Sequence, residues 1–276
     1  MSNFLTPPEV LKYTEEIGYR KANMPFRSSL LLSFLAGVFI ALASVGSNII
    51  SHNIPDIGLS KYLAGLIFPA GLILVVVAGA ELFTGNNLLS VAVLSKRVTV
   101  SKFLSNISIL WAGNLIGSIF IAFLIFYSGH LDYSGGALGA YTIKVGVIKT
   151  NLSFVNLFFS GILCNILVCL AVWMSYSAKD ITGKSIVVFF PIWLFIASGY
   201  EHSVANMYYL SAALLAKTTP EYLSASQTLF DVDSLQLSNL NIFGALVKNL
   251  IPVTLGNLLG GSFFIGAWYW AAYKTQ

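Results

Sequence analysis

The sequence predicts an all-α membrane protein that crosses the bilayer six times. Three observations carry that reading. Of 276 residues, 57% are hydrophobic and only 9% are Asp, Glu, Lys or Arg, about a third of the roughly 25% charged residues of a soluble domain. A compact soluble fold of this length could not cover its surface with so few charges. Six apolar stretches follow one another, at 29–50, 61–94, 103–127, 154–176, 186–215 and 242–271, each about as long as the 20 residues that span a bilayer, or longer. The second and fifth are too long for one straight helix and carry polar residues in their middle, as broken helices do. The same composition excludes disordered and nucleic-acid-binding classes, despite a formal charge of +4.

Residues 1–28 read as a polar segment on the cytoplasmic side, and 29–276 as one six-span membrane domain. Met1 to Arg27 lacks the apolar core of a signal peptide, so the first span is expected to be its own insertion signal. Thr6-Pro7-Pro8-Glu9 reads as a helix start: Thr6 as N-cap, Pro7 at the first helical position, Glu9 completing a capping box. That helix is expected to run to about Ala22 with Val10, Tyr13, Ile17 and Tyr19 on its less polar side. It either anchors the terminus at the interface or gates a path.

The two interrupted stretches share a spacing, Gly79-x-Glu81-x4-Asn86 and Gly199-x-Glu201-x4-Asn206. A second pair follows in the third and sixth stretches, Gly113-Asn114-Leu115-Ile116-Gly117 and Gly256-Asn257-Leu258-Leu259-Gly260. The order is the same in each half, so a three-span unit is repeated. Three is odd, so the second copy enters the membrane from the opposite side, and sites in such inverted repeats lie at mid-membrane between interrupted helices. With the N-terminus inside, ten basic residues fall on the cytoplasmic side and five (Lys61, Lys144, Lys149, Lys217 and Lys248) on the other. This bias places both termini inside. The longest loop, about 217–241, is Ser-, Thr- and Asp-rich and is expected to be a surface excursion without chemistry. Cys164 and Cys169 lie in one apolar run and read as small buried hydrophobes.

The residues that carry chemistry are the few polar ones inside apolar runs. His202 is the only histidine within a span. An unpaired imidazolium there is expensive, so a neutral ring is expected, donating one N–H to a partner and facing the path with its other nitrogen. Glu81 and Glu201 either carry protons or cations, or accept from backbone N–H groups freed where a helix breaks and so hold the loop open. Asn86, Asn114, Asn206 and Asn257 read as interhelical or loop-fixing hydrogen bonds. A broken helix also offers N–H groups to an anion. Lys149, before the fourth span, either adds positive potential at the entrance or is simply solvated.

The segments Ala78-Gly79-Ala80-Glu81-Leu82-Phe83-Thr84-Gly85 and Ala197-Ser198-Gly199-Tyr200-Glu201-His202-Ser203-Val204-Ala205-Asn206-Met207 resemble the two signatures of the formate/nitrite transporter family. The resemblance continues through Asn165–Met174 and Thr254-Leu255-Gly256-Asn257, and from Lys21-Ala22 to the last span. It implies an aquaporin-like subunit, a homopentamer, and one pore per protomer. By this resemblance Thr84 is the threonine of the broken second helix, His202 the central pore histidine, Asn165 the asparagine near it and Asn206 the asparagine after it. Phe68, Leu72, Leu82 and Phe195 would form apolar constrictions above and below the histidine, and Lys149 would be the vestibule lysine.

The function so implied is a channel for small monovalent weak-acid anions in a prokaryotic inner membrane, with formate ahead of nitrite and hydrosulfide. The anion would cross as its neutral acid or paired with a protonated His202, with Thr84 and Asn165 offering hydrogen bonds at the midpoint. No cofactor is expected. A membrane enzyme would need a metal cluster or a nucleophile–base pair, and no Cys, His or Asp lies beside His202 at ligand spacing. A water or glycerol pore fits the architecture too, but the paired Asn-Pro-Ala loops such pores use are absent.

Overall fold

The computed structural model of the chain describes residues 4–275; residues 1–3 and 276, the outer ends of the two predicted segments, lie outside the described residues. Among the described residues the regular elements are helical, and an isolated bridge joins Phe4 to Ala178. In chain order the main helices are α1 (Pro7–Ala22), α2 (Phe26–Ser51), α3 (Ile57–Ala78), α4 (Phe83–Leu94), α5 (Val100–Tyr127), α6 (Ala137–Asn151), α7 (Phe154–Ser177), α8 (Ile181–Ala197), α9 (Ser203–Ala216), α10 (Pro220–Phe230), α11 (Ser234–Ser238) and α12 (Gly244–Tyr273). Five of them, α2, α3, α5, α7 and α12, are long and apolar enough to cross a membrane. The predicted fifth stretch divides into α8 and α9, each too short to span alone.

Both breaks form for one local reason. Gly79 and Gly199 take φ of +84° and +72°, a left-handed turn open to glycine at little cost. The helix ends there, and a new one starts at Phe83 or Ser203.

Two crossings position these breaks, α2 against α5 and α7 against α12. Each depends on a glycine at a backbone contact. A Cβ at Gly117 would lie 2.1 Å from the Phe34 carbonyl oxygen, and one at Gly260 would lie 2.4 Å from that of Ile162. Small residues bring membrane helices this close, and dispersion then replaces the hydrophobic drive that lipid does not supply. Around Gly244–Leu250 and Gly260–Ala267, α12 widens into π turns.

The capping box of α1 is present, with the Thr6 backbone N–H donating to Glu9 at 2.7 Å. The helix docks on protein through Val10, Leu11, Thr14 and Gly18, and Gly18 meets Ala92 of α4 closely. Tyr19 departs from expectation: it is exposed, with the Arg97 guanidinium 5.6 Å over its ring. Two further departures lie on the opposite side. The segment holding Lys149 is the helix α6, and the Ser/Thr/Asp-rich loop folds into α10 and α11. Tyr222 of α10 is buried against Gly139 of α6, where a Cβ would strike the tyrosine ring at 2.6 Å. Its hydroxyl donates to Asp132.

Candidate functional site

The two helix breaks are built from the same contacts. Beyond each left-handed glycine one N–H turns back into the preceding helix, Ala80 to the Val75 carbonyl at 2.9 Å and Tyr200 to that of Phe195 at 3.1 Å. The N–H that starts the next helix donates to an asparagine: Phe83 to Asn114 Oδ1 at 2.9 Å, Ser203 to Asn257 Oδ1 at 2.8 Å. The same asparagines donate to the glutamate carbonyls, Asn114 Nδ2 to Glu81 at 3.1 Å and Asn257 Nδ2 to Glu201 at 3.0 Å. The glutamate side chains therefore do not take the freed backbone N–H groups, as the sequence reading had one of their roles. They accept side-chain donors instead, from Asn86 and Asn206, both at 2.6 Å.

Each carboxylate also holds a lysine. Lys149 Nζ donates to both oxygens of Glu201 at 2.9 and 3.0 Å, and Lys21 Nζ lies 3.1 Å from Glu81 and 2.8 Å from Asn86 Oδ1. Burial opposes the charge on Lys21, but the Glu81 carboxylate together with Tyr176 and Tyr13 outweighs it and holds the ammonium pKa above its ordinary value. Lys149 is thus a paired group on a helix, its ammonium 5.4 Å over the Tyr209 ring.

At equivalent places in the two breaks stand Leu82 and His202, and there the halves diverge. His202 Nδ1 accepts the Ala205 N–H at 3.2 Å, capping α9, and Nε2 lies 2.8 Å from Thr84 Oγ1. A nitrogen that accepts carries no proton, so the network assigns a neutral ring protonated on Nε2. Both nitrogens are engaged, where one had been expected to face the path. The Thr84 carbonyl is held from α7 by Asn165 Nδ2 at 3.2 Å and Cys169 Sγ at 3.3 Å. Asn165 Nδ2 also donates to the Asn257 carbonyl at 2.6 Å, so this amide fixes the break, and its Oδ1 is buried without a partner among the described residues.

Cavities approach this pair from both sides. A cavity of about 140 Å³ is lined by Lys149, Glu201, Asn206, His202 and Phe195, and a wider recess of about 830 Å³ shares Lys149 and Glu201. On the side of α1, a cavity of about 340 Å³ is lined by Lys21, Glu81, Asn86, Leu72 and Leu82. Between them the Phe68 and Phe195 rings meet edge to face with centroids 5.6 Å apart, and Phe195 lies 5.8 Å from the His202 ring. Phe68, Leu72, Leu82 and Phe195 are each at most 2% exposed. The arrangement is two polar vestibules closed by an apolar plug with one imidazole–hydroxyl pair inside it. Such a plug opposes bare charge, because desolvating an ion costs far more than desolvating its neutral form. Among the described residues no cluster of three His, Cys, Asp or Glu could hold a metal.

Lys21, Cys169 and Asn249 escaped the sequence reading. Asn249 accepts from Asn206 at 2.8 Å and donates to the Lys149 carbonyl at 2.9 Å. Each lies tens of residues from its partner, and no spacing signals it.

The family model for the formate/nitrite transporter matches residues 8–271. The formate channel FocA of Haemophilus influenzae is 39% identical over 99% of this chain and 96% of its own, and that of Escherichia coli K12 is 34% identical over the same shares. A solved structure of a pentameric formate channel with formate bound superposes with a TM-score of 0.79 at 35% identity, over 90% of this chain and 98% of that one.

Proposed function

The chain belongs to the formate/nitrite transporter family, and from that premise we propose that it is a channel for small monovalent weak-acid anions, formate foremost and nitrite or hydrosulfide through the same pore. The formate channels among its relatives and the formate-bound pentamer it resembles support formate and a homopentamer with one pore in each protomer. We place it in a prokaryotic inner membrane, with α1 and both termini cytoplasmic. Residues 1–28 form the cytoplasmic segment. Residues 29–276 cross six times as an aquaporin-like inverted repeat, in which α3 with α4, and α8 with α9, are the broken second and fifth spans. It is a channel, not an enzyme, and works without a cofactor.

The observation that carries this reading is the 2.8 Å approach of Thr84 Oγ1 to His202 Nε2 between two polar cavities. An anion gathers in the vestibule lined by Lys149 and Asn206. To pass Phe195, Phe68, Leu72 and Leu82 it takes a proton and crosses as the neutral acid, which loses far less on desolvation than the ion. The imidazole–hydroxyl pair gives that acid a polar contact halfway, and its proton comes from His202 Nε2, which gives it up as the ring gains another at Nδ1, so flux follows pH. Asn165, Glu81 and Glu201 keep the broken helices in place around the pair.

Flux into liposomes holding purified protein tests this. Wild type should take up labelled formate faster at pH 6 than at pH 8. His202→Phe should lose that pH dependence, and Lys149→Ala should weaken uptake. Wild-type pH dependence in both variants, or glycerol crossing faster than formate, would overturn the reading.

A further inference from the structure

The contacts that clasp the two breaks extend to the lysines. Eight residues before Asn114 and Asn257 stand Asn106 of α5 and Asn249 of α12, both buried. Asn106 Nδ2 donates to the Lys21 carbonyl at 3.1 Å, and Asn249 Nδ2 donates to the Lys149 carbonyl at 2.9 Å. Each lysine lies in the last turn of its helix, α1 or α6, where backbone carbonyls lack intrahelical partners. One helix in each half therefore holds the backbone at both ends of an ion pair. Asn106 and Asn114 of α5 hold Lys21 and Glu81, and Asn249 and Asn257 of α12 hold Lys149 and Glu201. At 1.5 Å per residue the two anchors lie about 12 Å apart along one rigid helix, so together they set where the ammonium stands relative to the carboxylate.

The two halves lean on this anchor unequally. Lys21 Nζ has the Asn86 Oδ1 as well as Glu81, and the Lys21 carbonyl also accepts the Met24 N–H at 3.2 Å. In the other half Asn249 Oδ1 takes Asn206 Nδ2, the nitrogen that also donates to Glu201. Both hydrogens of that amide are then spent on acceptors, and Asn206 Oδ1 is left without a partner among the described residues. Lys149 Nζ is held by the Glu201 carboxylate, with Asn249 fixing its backbone. We infer that Asn249 is a positioning residue for the vestibule opposite α1, with Asn106 its weaker counterpart on the other side. Neither asparagine lines a cavity, so neither meets the passing ion. Asn249 acts through Lys149: it ties down the end of α6 and the Asn206 amide, and so keeps the ammonium beside the small cavity and the wider recess.

This inference rests on the channel reading, and one set of measurements separates the two. Initial influx of labelled formate into liposomes is compared for wild type, Asn249→Ala, Lys149→Gln and the double variant, at low and high ionic strength. Asn249→Ala should lower influx about fivefold, the scale of one lost hydrogen bond. In the Lys149→Gln background the same substitution should change influx less than about 1.5-fold, because residues that act as a unit are not additive. The carbonyl at position 149 remains in that background, so the drop in thermal stability caused by Asn249→Ala should be the same in both. Salt should slow wild-type influx by screening the lysine, and should slow Asn249→Ala less. Asn106→Ala should lower influx only about twofold, since Lys21 keeps other partners, and this loss should vanish in Lys21→Gln. Asn249→Ser, which leaves a polar group in the place of the amide, repeats the comparison in a variant less prone to misfold. Equal fold losses with and without Lys149, or a wild-type salt dependence in Asn249→Ala, overturn the positioning role alone. The salt comparison decides if Lys149→Gln passes too little formate to compare. No wild-type influx above empty liposomes overturns the channel reading on which the role stands.

Discussion

His202 Nε2 lies 2.8 Å from Thr84 Oγ1 while its Nδ1 takes the backbone N–H of Ala205. The ring therefore does two separable things: it caps α9 and it supplies an N–H at the centre of the plug. Only the neutral ring can do the first, since an imidazolium has no acceptor nitrogen. A proton arriving at Nδ1 would displace the cap, which ties any charging of His202 to a loosening of the start of α9.

Substitution separates the two roles. Losing an N-cap costs about 0.5–2 kcal/mol. His202→Asn keeps a capping acceptor and should unfold in detergent within about 0.5 kcal/mol of wild type. His202→Phe loses the acceptor and should fall by about 1–2 kcal/mol. Both should lose the pH dependence of formate flux. Equal thermal stability in the two variants would remove the cap from the account.

The asparagines that hold the breaks should be equivalent despite their distance in sequence. Asn114 and Asn257 each accept the N–H that starts a helix and donate to a glutamate carbonyl. Replacing either by Ala leaves that buried N–H unpaired, at about 1–3 kcal/mol. Similar losses are expected in Asn114→Ala and Asn257→Ala, measured by thermal unfolding. A loss in one alone would mean that the matched contacts are not matched in energy.

The spacing Gly-x-Glu-x4-Asn located both breaks in the sequence because the contacts that set it are local: the glycine turn, and the Glu81–Asn86 and Glu201–Asn206 bonds five residues apart. The repeated Gly-Asn pair located the clasping residues by its recurrence alone, since the groups they clasp lie 31 to 56 residues away. The lysine partners are different. Lys21 lies 60 residues from Glu81 and Lys149 lies 52 from Glu201, and nothing in a one-dimensional pattern joins them. α10 was legible but overlooked. Thr219-Pro220-Glu221 starts it with the same polar cap and proline as Thr6-Pro7 at α1, hidden by the polar composition of the surrounding loop. Which nitrogen of His202 caps α9 and which meets Thr84 depends on Ala205 and Thr84 approaching the ring from two sides, and only the assembled fold decides that.

The Lys21–Glu81 pair fastens α1 under the cavity on its side. Removing one partner strands a buried charge at about 3 kcal/mol or more, while removing both is nearly neutral. In a cycle of Lys21→Met, Glu81→Gln and the double variant, each single change should destabilise strongly and the double should recover most of the loss. Because the double should cost no more than either single change, a coupling energy of at least about 3 kcal/mol is expected. Additive losses would show that Asn86 alone satisfies Glu81.

Outside the membrane, the contact of α10 with Asp132 makes a prediction about pH. Burial, then the hydrogen bond to Asp132, raises the Tyr222 phenol to about 12, above the ordinary value of about 10. An acid whose folded pKa is raised stabilises the fold at pH below its unfolded pKa. This contribution is therefore complete below about pH 10 and is lost as the pH climbs through 12. At pH 10 an ordinary phenol is half ionised, whereas Tyr222 should remain protonated. The absorbance at 295 nm of wild type minus Tyr222→Phe at pH 10 should then show almost no phenolate. Asp132→Asn should bring a measurable phenolate signal back at that pH, because the carboxylate that holds the proton is gone. Half a phenolate in the wild-type difference would mean that α10 stands away from α6 in solution.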